Sequence, residues 1–303
     1  MDLRKIHKYF VSYRFPLILT ILVFIVLRLP GNGDWLSISL WGSTLLQLVI
    51  ALFLLYLTQI FGIIRQKTLL PAFFYVLLAG ANPLFAYDLT GSVSALTIAL
   101  CFLFLFNSYQ NPLSQGNALN ISLLLTLCSF YWFPILLFFP LFWYGMYQFR
   151  CLNIKTFLAS LTGFLLIYLF LFTWSVYKGD PEFFLKMLPD FKTIGTIQIF
   201  SFGLKAWIMN GLILLLFILS GIKIYMAGVS EKVQAVTTLS YLFVFTLVVY
   251  VLYLIQNQWK QEWLLILYMP ISLLISHYFT LSNKLWTIRL FLLTVILFGM
   301  MFD

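Results

Sequence analysis

Long apolar runs separated by short polar breaks follow one another along nearly the whole chain. Several of these runs reach the length of about 20 residues that an α-helix needs to cross the hydrocarbon core of a membrane. Hydrophobic residues make up 63 % of the chain and charged residues only 9 %, whereas a typical soluble domain is about one quarter charged. The pattern therefore predicts an all-α, polytopic integral membrane protein embedded in a lipid bilayer.

The polar breaks divide the sequence into about eleven transmembrane helices. One break, from Tyr177 to Gly203, is much longer than the others and contains the apolar stretch Phe183–Leu188. We expect this stretch to form an interfacial helix in the plane of the lipid headgroups. The sequence thus predicts a seven-helix membrane module over residues 1–178, an outer loop over residues 179–203 and a four-helix module over residues 204–303. The predicted spans are Pro16–Leu29, Leu36–Ile64, Leu69–Leu84, Ser92–Phe106, Ala118–Trp132, Pro134–Phe149, Phe157–Val176, Leu204–Met226, Val236–Ile255, Leu264–Phe279 and Leu285–Met301.

The distribution of basic residues predicts the orientation, because Lys and Arg are enriched in cytoplasmic loops. A cytoplasmic N-terminus places Arg65 and Arg150 inside, together with most of the other basic residues. All acidic residues except Asp2 and Glu231 then fall on the outer face. We therefore expect a multi-pass protein of the cell (inner) membrane, with its N-terminus in the cytoplasm and its acids outside.

The net charge of +9 does not indicate a nucleic-acid partner, because the basic residues are scattered between apolar spans and form no basic stripe. The three cysteines are widely spaced, which argues against a disulfide framework and against a thiolate metal site. The two histidines, His7 and His277, are far apart in sequence and do not indicate a histidine metal site. The remaining candidates for chemistry are the outer acids.

Asp34 and Asp88 are the two outer acids with the most suggestive surroundings. Asp34 follows a turn rich in glycine and precedes Trp35, while Asp88 lies in a short break between two apolar spans. Each carboxylate could act as a general base or hold a divalent cation. Each could equally cap the helix that follows it, since Asp is a favoured N-cap residue. The sequence leaves both interpretations open.

Other residues near these acids could bind a substrate. Arg28, at the outer end of the first predicted span, could clamp a lipid phosphate or serve as an interfacial anchor. Lys260 belongs to the charged pair Lys260–Glu262, which is flanked by tryptophans and is typical of a turn in an aromatic belt. Asn82 and Tyr87 share the short break with Asp88 and, with Trp35, are the predicted lining of an outer cavity.

The order of these features resembles the N-terminal module of the GT-C membrane glycosyltransferases. The resemblance covers residues 10–178 and rests on an outer acid after the first span, on Ala81-Asn82-Pro83-Leu84-Phe85-Ala86-Tyr87-Asp88 at the end of the third span, and on the short pair of spans that contains Leu125–Trp132. The first outer loop is shorter than is usual in that class and has no acid pair. In length and pattern the chain is also similar to an uncharacterised family of Bacteroidota integral membrane proteins.

The resemblance implies an enzyme that takes a sugar from a polyprenyl-phosphate carrier at the outer leaflet. It matches Asp34 to the acid that is the catalytic base or metal ligand in that class, and Asp88 to a second acid. We therefore expect Asp34 to be the base and Asp88 a supporting acid or metal ligand, and we expect Arg28 and Lys260 to contact the lipid phosphate. A divalent cation is compatible with these acids, although no residue pattern identifies the metal. Two alternatives remain open: a non-catalytic subunit that scaffolds other membrane subunits, and a lipid or solute transporter, which should show paired broken helices.

Overall fold

The computed structural model describes residues 18, 21–22, 24–25, 37–80, 82–179, 204–227, 232–256, 259–281 and 285–300. These residues are predominantly helical and contain no β-strand. The α-helices from residue 37 onward are α1 (Ile38–Ile60), α2 (Leu70–Gly80), α3 (Leu89–Asn107), α4 (Gln115–Cys128), α5 (Phe138–Gln148), α6 (Ile154–Lys178), α7 (Leu204–Ala227), α8 (Val233–Ile255), α9 (Lys260–Thr280) and α10 (Leu285–Met300). Two short 3-10 helices, Pro83–Ala86 and Phe133–Leu137, precede α3 and α5.

The predicted all-α membrane architecture is confirmed at this level. In the part of the chain that the structure describes, six helices are long and apolar enough to cross a membrane: α1, α3, α6, α7, α8 and α9. The predicted total of about eleven spans is not confirmed. Helices α2 and α5 have only 11 residues each, which is about half of the length that a full crossing needs. The apolar pattern located these helices but did not determine whether each one crosses the bilayer.

The chain divides into two compact units, one formed by Met1–Ala95 with Ile197–Asp303 and the other by Leu96–Thr196. We call them the discontinuous unit and the inserted unit. The predicted modules place their boundaries elsewhere, after residues 178 and 203, and they remain predictions. The predicted interfacial helix, Phe183–Leu188, lies outside the described residues.

Helix α9 forms the centre of the discontinuous unit. Residues 265–280 are all buried, and α9 packs against α1, α2, α7, α8 and α10. Aromatic side chains fill the contact with α2 and α10, where the Phe279 ring lies 5.6 Å from Phe74 and 5.2 Å from Phe291 between centroids. Because every side of α9 is covered by other helices, its apolar residues form the core and do not meet lipid.

In the inserted unit, helices α4 and α6 pack closely along their length. A small residue makes this approach possible, because a Cβ at Gly163 would lie only 2.9 Å from the backbone oxygen of Leu119. Close packing at glycine is a common mode of association between membrane helices. At the start of α6, Asn153 and Thr156 form a reciprocal capping box, which satisfies backbone N–H groups of the first turn.

Candidate functional site

Asp88 is the N-cap residue of α3. It immediately precedes Leu89, the first residue of the helix, and its Oδ1 accepts a hydrogen bond of 2.7 Å from the backbone N–H of Gly91. This bond satisfies one of the N–H groups that have no partner within the first turn of a helix. The capping interpretation of Asp88 is therefore confirmed, and it accounts for one of the two carboxylate oxygens.

The second oxygen, Asp88 Oδ2, is buried and has no hydrogen-bond partner in the described structure. It lies directly over Gly91, where a Cβ would come within 2.9 Å of Asp88 Cγ and within 2.9 Å of Leu265 Cδ1. Leu265 belongs to α9, so that helix also passes close to Gly91. The absence of a side chain at position 91 leaves room for both the Asp88 carboxylate and Leu265.

Burial raises the pKa of the Asp88 carboxyl above its usual range, while the hydrogen bond from the Gly91 N–H opposes this rise. Asp88 is only 9 % exposed, and a desolvated carboxylate without a cation is costly. Within the described residues, no hydrogen-bond partner for Asp88 Oδ2 offsets this cost.

A network of hydrogen bonds from α1 holds the segment that carries Asp88. The Gln47 side-chain amide donates to the Phe85 carbonyl at 3.1 Å and to Ser92 Oγ at 2.9 Å. The Ser43 hydroxyl donates to the Ala86 carbonyl, and Ser92 Oγ donates to the Asp88 carbonyl at 2.7 Å. These bonds link α1, the 3-10 helix and α3, so they fix the backbone position of Asp88. Buried hydrogen bonds of this kind each contribute about 0.5–1.5 kcal/mol.

Glu262 lies in the first turn of α9, one turn before Leu265. Residues three apart on a helix lie on the same face, and Leu265 contacts the position of Gly91. Glu262 is therefore directed toward the same part of the unit as Asp88.

The first turn of α9 also carries Trp263, which is fully buried and donates from Nε1 to Gln256 Oε1 at 2.9 Å. The interpretation of residues 259–263 as an aromatic-belt turn is wrong for Trp263, because this ring packs inside the unit.

The predicted site residues have different positions in the structure. Asn82 is partly buried and Tyr87 is exposed, and both lie on the short segment that leads to Asp88. Lys260 is partly buried at the first position of α9. The other predicted residues, Asp34, Trp35 and Arg28, lie outside the described residues, so the proposed grouping of Asp34 with Asp88 remains a prediction.

Sequence reasoning did not identify Glu262 or Gln47 as site residues. The charged pair Lys260–Glu262 beside tryptophans predicts a turn in an aromatic belt, whereas Glu262 lies within one turn of the fully buried Trp263 and Leu265. Gln47 offered a clear signal, since a polar side chain in the middle of an apolar span usually bonds to a neighbouring helix. Here that helix is α3, through Ser92.

The Asp88 segment has one of the properties of a cation site. Hard cations such as Mg²⁺ and Ca²⁺ bind carboxylate oxygens, and Asp88 Oδ2 is such an oxygen, buried and unpartnered. Among the described residues there is no group of three or more His, Cys, Asp or Glu side chains that could hold a metal. A cation bound to Asp88 would therefore depend on two acids at most, with other oxygen ligands completing its coordination.

Comparison with known protein families, with curated proteins and with solved structures finds no match for this chain.

Proposed function

We propose that this protein is a GT-C-like membrane glycosyltransferase that uses a polyprenyl-phosphate-linked sugar at the outer leaflet of the cell membrane. The observation that carries the proposal is the Asp88 carboxylate, which is buried in a helical membrane protein with one oxygen left without a partner. Ionisable residues in such surroundings are energetically costly and usually serve a function. The segment that presents Asp88 is also the one on which the resemblance to the GT-C class depends.

In the proposed reaction, a hydroxyl oxygen of the acceptor attacks the anomeric carbon of the sugar. The bond between that carbon and the phosphate oxygen breaks, and its electron pair leaves with the polyprenyl phosphate. Asp34 takes the proton of the attacking hydroxyl as the general base. Asp88 is the supporting acid or metal ligand, and Arg28 and Lys260 bind the lipid phosphate, since both carry the charge that phosphate requires.

The release of polyprenyl phosphate tests this proposal. The purified full-length protein is reconstituted in proteoliposomes with a panel of polyprenyl-phosphate sugars and a membrane lipid extract as acceptor, and products are identified by mass spectrometry. We expect Asp34→Asn to lower the rate by about a hundredfold or more, as is typical for loss of a general base. Asp303→Asn removes another acid that is predicted to be on the outer face, and it should leave the rate unchanged. Equal rates for wild type and Asp34→Asn would reject the assigned base.

A second candidate is a non-catalytic membrane subunit that scaffolds partner subunits. The observation that favours it is the cap itself, because Asp88 Oδ1 and its backbone carbonyl are both used to hold the start of α3. A scaffold should tolerate loss of the acids, provided that the caps remain. Normal cell function in a strain with Asp34→Asn and Asp88→Asn together would support the scaffold and contradict the enzyme, since Asn is also a good N-cap residue.

A further inference from the structure

The ends of three helices meet at one end of the inserted unit. The segment after α3 is joined to the end of α5, because the Gln110 N–H donates a hydrogen bond of 2.9 Å to the Phe149 carbonyl. The same segment is joined to the start of α6, because the Asn153 side-chain amide donates a hydrogen bond of 2.7 Å to the Pro112 carbonyl. The residues that follow these positions in sequence are therefore brought together by the fold.

Those following residues combine positive charge with apolar surface. They are Leu113, Arg150, Ile154 and Lys155, all four are exposed, and we call them the basic end. Leu113 is 77 % exposed and Ile154 is 79 % exposed. Exposed apolar side chains beside Lys and Arg are typical of a surface at the boundary between lipid tails and headgroups.

No acid in the described part of the inserted unit balances these two cations. The sequence contains no Asp or Glu from residue 89 to residue 179, and this range includes every residue of the unit that the structure describes. Arg150 and Lys155 therefore form no ion pair within that part of the unit. The partner that matches their charge is an anion supplied from outside it.

Arg150 occupies a backbone position that favours glycine. The end of α5 is a Schellman motif, with hydrogen bonds of 3.0 Å from the Arg150 N–H to the Tyr147 carbonyl and from the Cys151 N–H to the Met146 carbonyl. Arg150 has the left-handed conformation of this motif, with a φ of 58°, which is less favourable for a residue with a Cβ than for glycine. The contribution of Arg150 therefore lies in its exposed side chain and not in its backbone.

Helix α6 is long enough to place the basic end at the lipid headgroups. It has 25 residues, or about 37 Å of helix, whereas the hydrocarbon core of a membrane is about 30 Å thick. Lys155 is the second residue of α6 and Lys178 is the last. Lys178 Nζ lies 5.4 Å from the centroid of the Trp174 ring, and tryptophan beside a basic residue is typical of a membrane interface. With Lys178 at one interface, Lys155 reaches the other.

We propose that the basic end binds anionic phospholipid headgroups of the cytoplasmic leaflet. The planar Arg150 guanidinium suits bidentate contact with a lipid phosphate, and Lys155 adds a second positive charge. Leu113 and Ile154 contact the glycerol and upper acyl region beside the headgroup. The cytoplasmic leaflet follows from the predicted orientation, and its negative surface potential attracts basic residues. This surface is independent of the proposed function, which uses a donor at the outer leaflet.

Site-specific photocrosslinking tests the proposal. In the full-length protein, Leu113 is replaced by the photoreactive p-benzoylphenylalanine, and this parent protein is reconstituted in vesicles of equal parts phosphatidylglycerol and phosphatidylcholine. After irradiation, mass spectrometry identifies the lipid attached at position 113. We expect phosphatidylglycerol to be attached in excess by about fivefold or more, since each basic residue near an anionic surface strengthens the association by about that factor. Salt at about 1 M should reduce the excess, because it screens exposed charges.

Removing the charges should remove the preference for phosphatidylglycerol. Arg150→Gly and Lys155→Gln should each lower it, and the two together should bring the ratio of attached lipids close to one. Arg150→Gly also protects the test against misfolding, because glycine suits the left-handed backbone at this position. Arg150→Lys keeps the charge and should retain most of the preference. Lys178→Gln is the matched control, since it removes a charge from the other end of α6, and it should leave the ratio at position 113 unchanged.

Several outcomes would overturn the proposal. Equal attachment of the two lipids to the parent protein would show that the basic end does not select anionic headgroups, and attachment of no lipid would show that position 113 does not reach the membrane. An unchanged ratio in the variant that combines Arg150→Gly with Lys155→Gln would exclude these cations as the cause. In native membranes, crosslinking of position 113 to a protein in place of phosphatidylglycerol would identify a protein partner instead. None of these outcomes depends on glycosyl transfer, because no sugar donor is present.

Discussion

Replacing Gly91 by alanine should destabilise the protein, even though alanine is the better helix former. The added Cβ would lie within 2.9 Å of both Asp88 Cγ and Leu265 Cδ1, which is closer than carbon atoms approach without strain. Leu265 Cδ1 is at the flexible end of its side chain and can shift, but the Asp88 carboxylate is held by the hydrogen bond that it accepts from the Gly91 N–H. The methyl group must therefore displace the carboxylate from its capping position.

The expected magnitude follows from three contributions. Alanine in place of glycine in a helix contributes up to about 1 kcal/mol of stability. Overpacking of a well-packed site costs about 1–3 kcal/mol, and loss of an N-cap bond costs about 1 kcal/mol. The sum is a net loss of about 1–3 kcal/mol in the free energy of unfolding.

Unfolding of the purified protein in detergent micelles measures this change. Gly211→Ala is the control, because Gly211 lies within α7 and its Cβ would have no atom within 4 Å; this variant should be at least as stable as the wild type. In an Asp88→Ala background the capping bond is already lost and the carboxylate is absent. In that background, Gly91→Ala should lower the free energy of unfolding by much less than it does in the wild type, as expected for two residues in direct contact. The reasoning would be refuted if Gly91→Ala were as stable as the wild type, or if it lowered the free energy of unfolding equally in the wild type and in Asp88→Ala.

Gly163→Ala should destabilise the inserted unit by about 1–3 kcal/mol, since the new Cβ would lie 2.9 Å from the backbone oxygen of Leu119 and force α4 away from α6. Thermal unfolding against Gly116→Ala, where a Cβ would meet open space, measures the difference. A cysteine at the exposed position of Tyr87 should react with a membrane-impermeant maleimide on intact cells, whereas a cysteine at Gln66 should react only after lysis. The native cysteines are buried and give little background, and reaction of position 66 in intact cells would reverse the predicted orientation.

The sequence predicted the helices well, because an apolar run bounded by polar residues is a local signal. Predicted span Val236–Ile255, for example, corresponds to α8, Val233–Ile255, with the same final residue. The sequence pattern did not predict that α2 would be an 11-residue helix followed by a short 3-10 helix. The apolar character continues through Leu84, whereas the α-helix ends at Gly80 and Pro83 begins a 3-10 helix.

The candidate site was predictable only in part, because its two acids are distant in sequence. Asp88 stood out as a charge between apolar spans, and its capping role followed from its position before a helix. Glu262 did not stand out, since a charged pair beside tryptophans is typical of a surface turn. Its relation to Asp88 depends on the packing of α9 against α2 and the 3-10 helix, which no local pattern encodes. The role of Gly91 likewise depends on Leu265.

The central position of α9 has a consequence for how the protein is made. Membrane proteins are inserted as they are synthesised, and α9 is the second-to-last of the described helices to leave the ribosome. Until it arrives, the faces of α1, α2, α7 and α8 that will contact it have no protein partner. Helix α2, which is buried along nearly its whole length in the finished protein, is then too short to span the membrane alone. Assembly of the discontinuous unit must therefore wait until α9 has been synthesised, and a chain interrupted before residue 260 should be a substrate for membrane quality-control proteases.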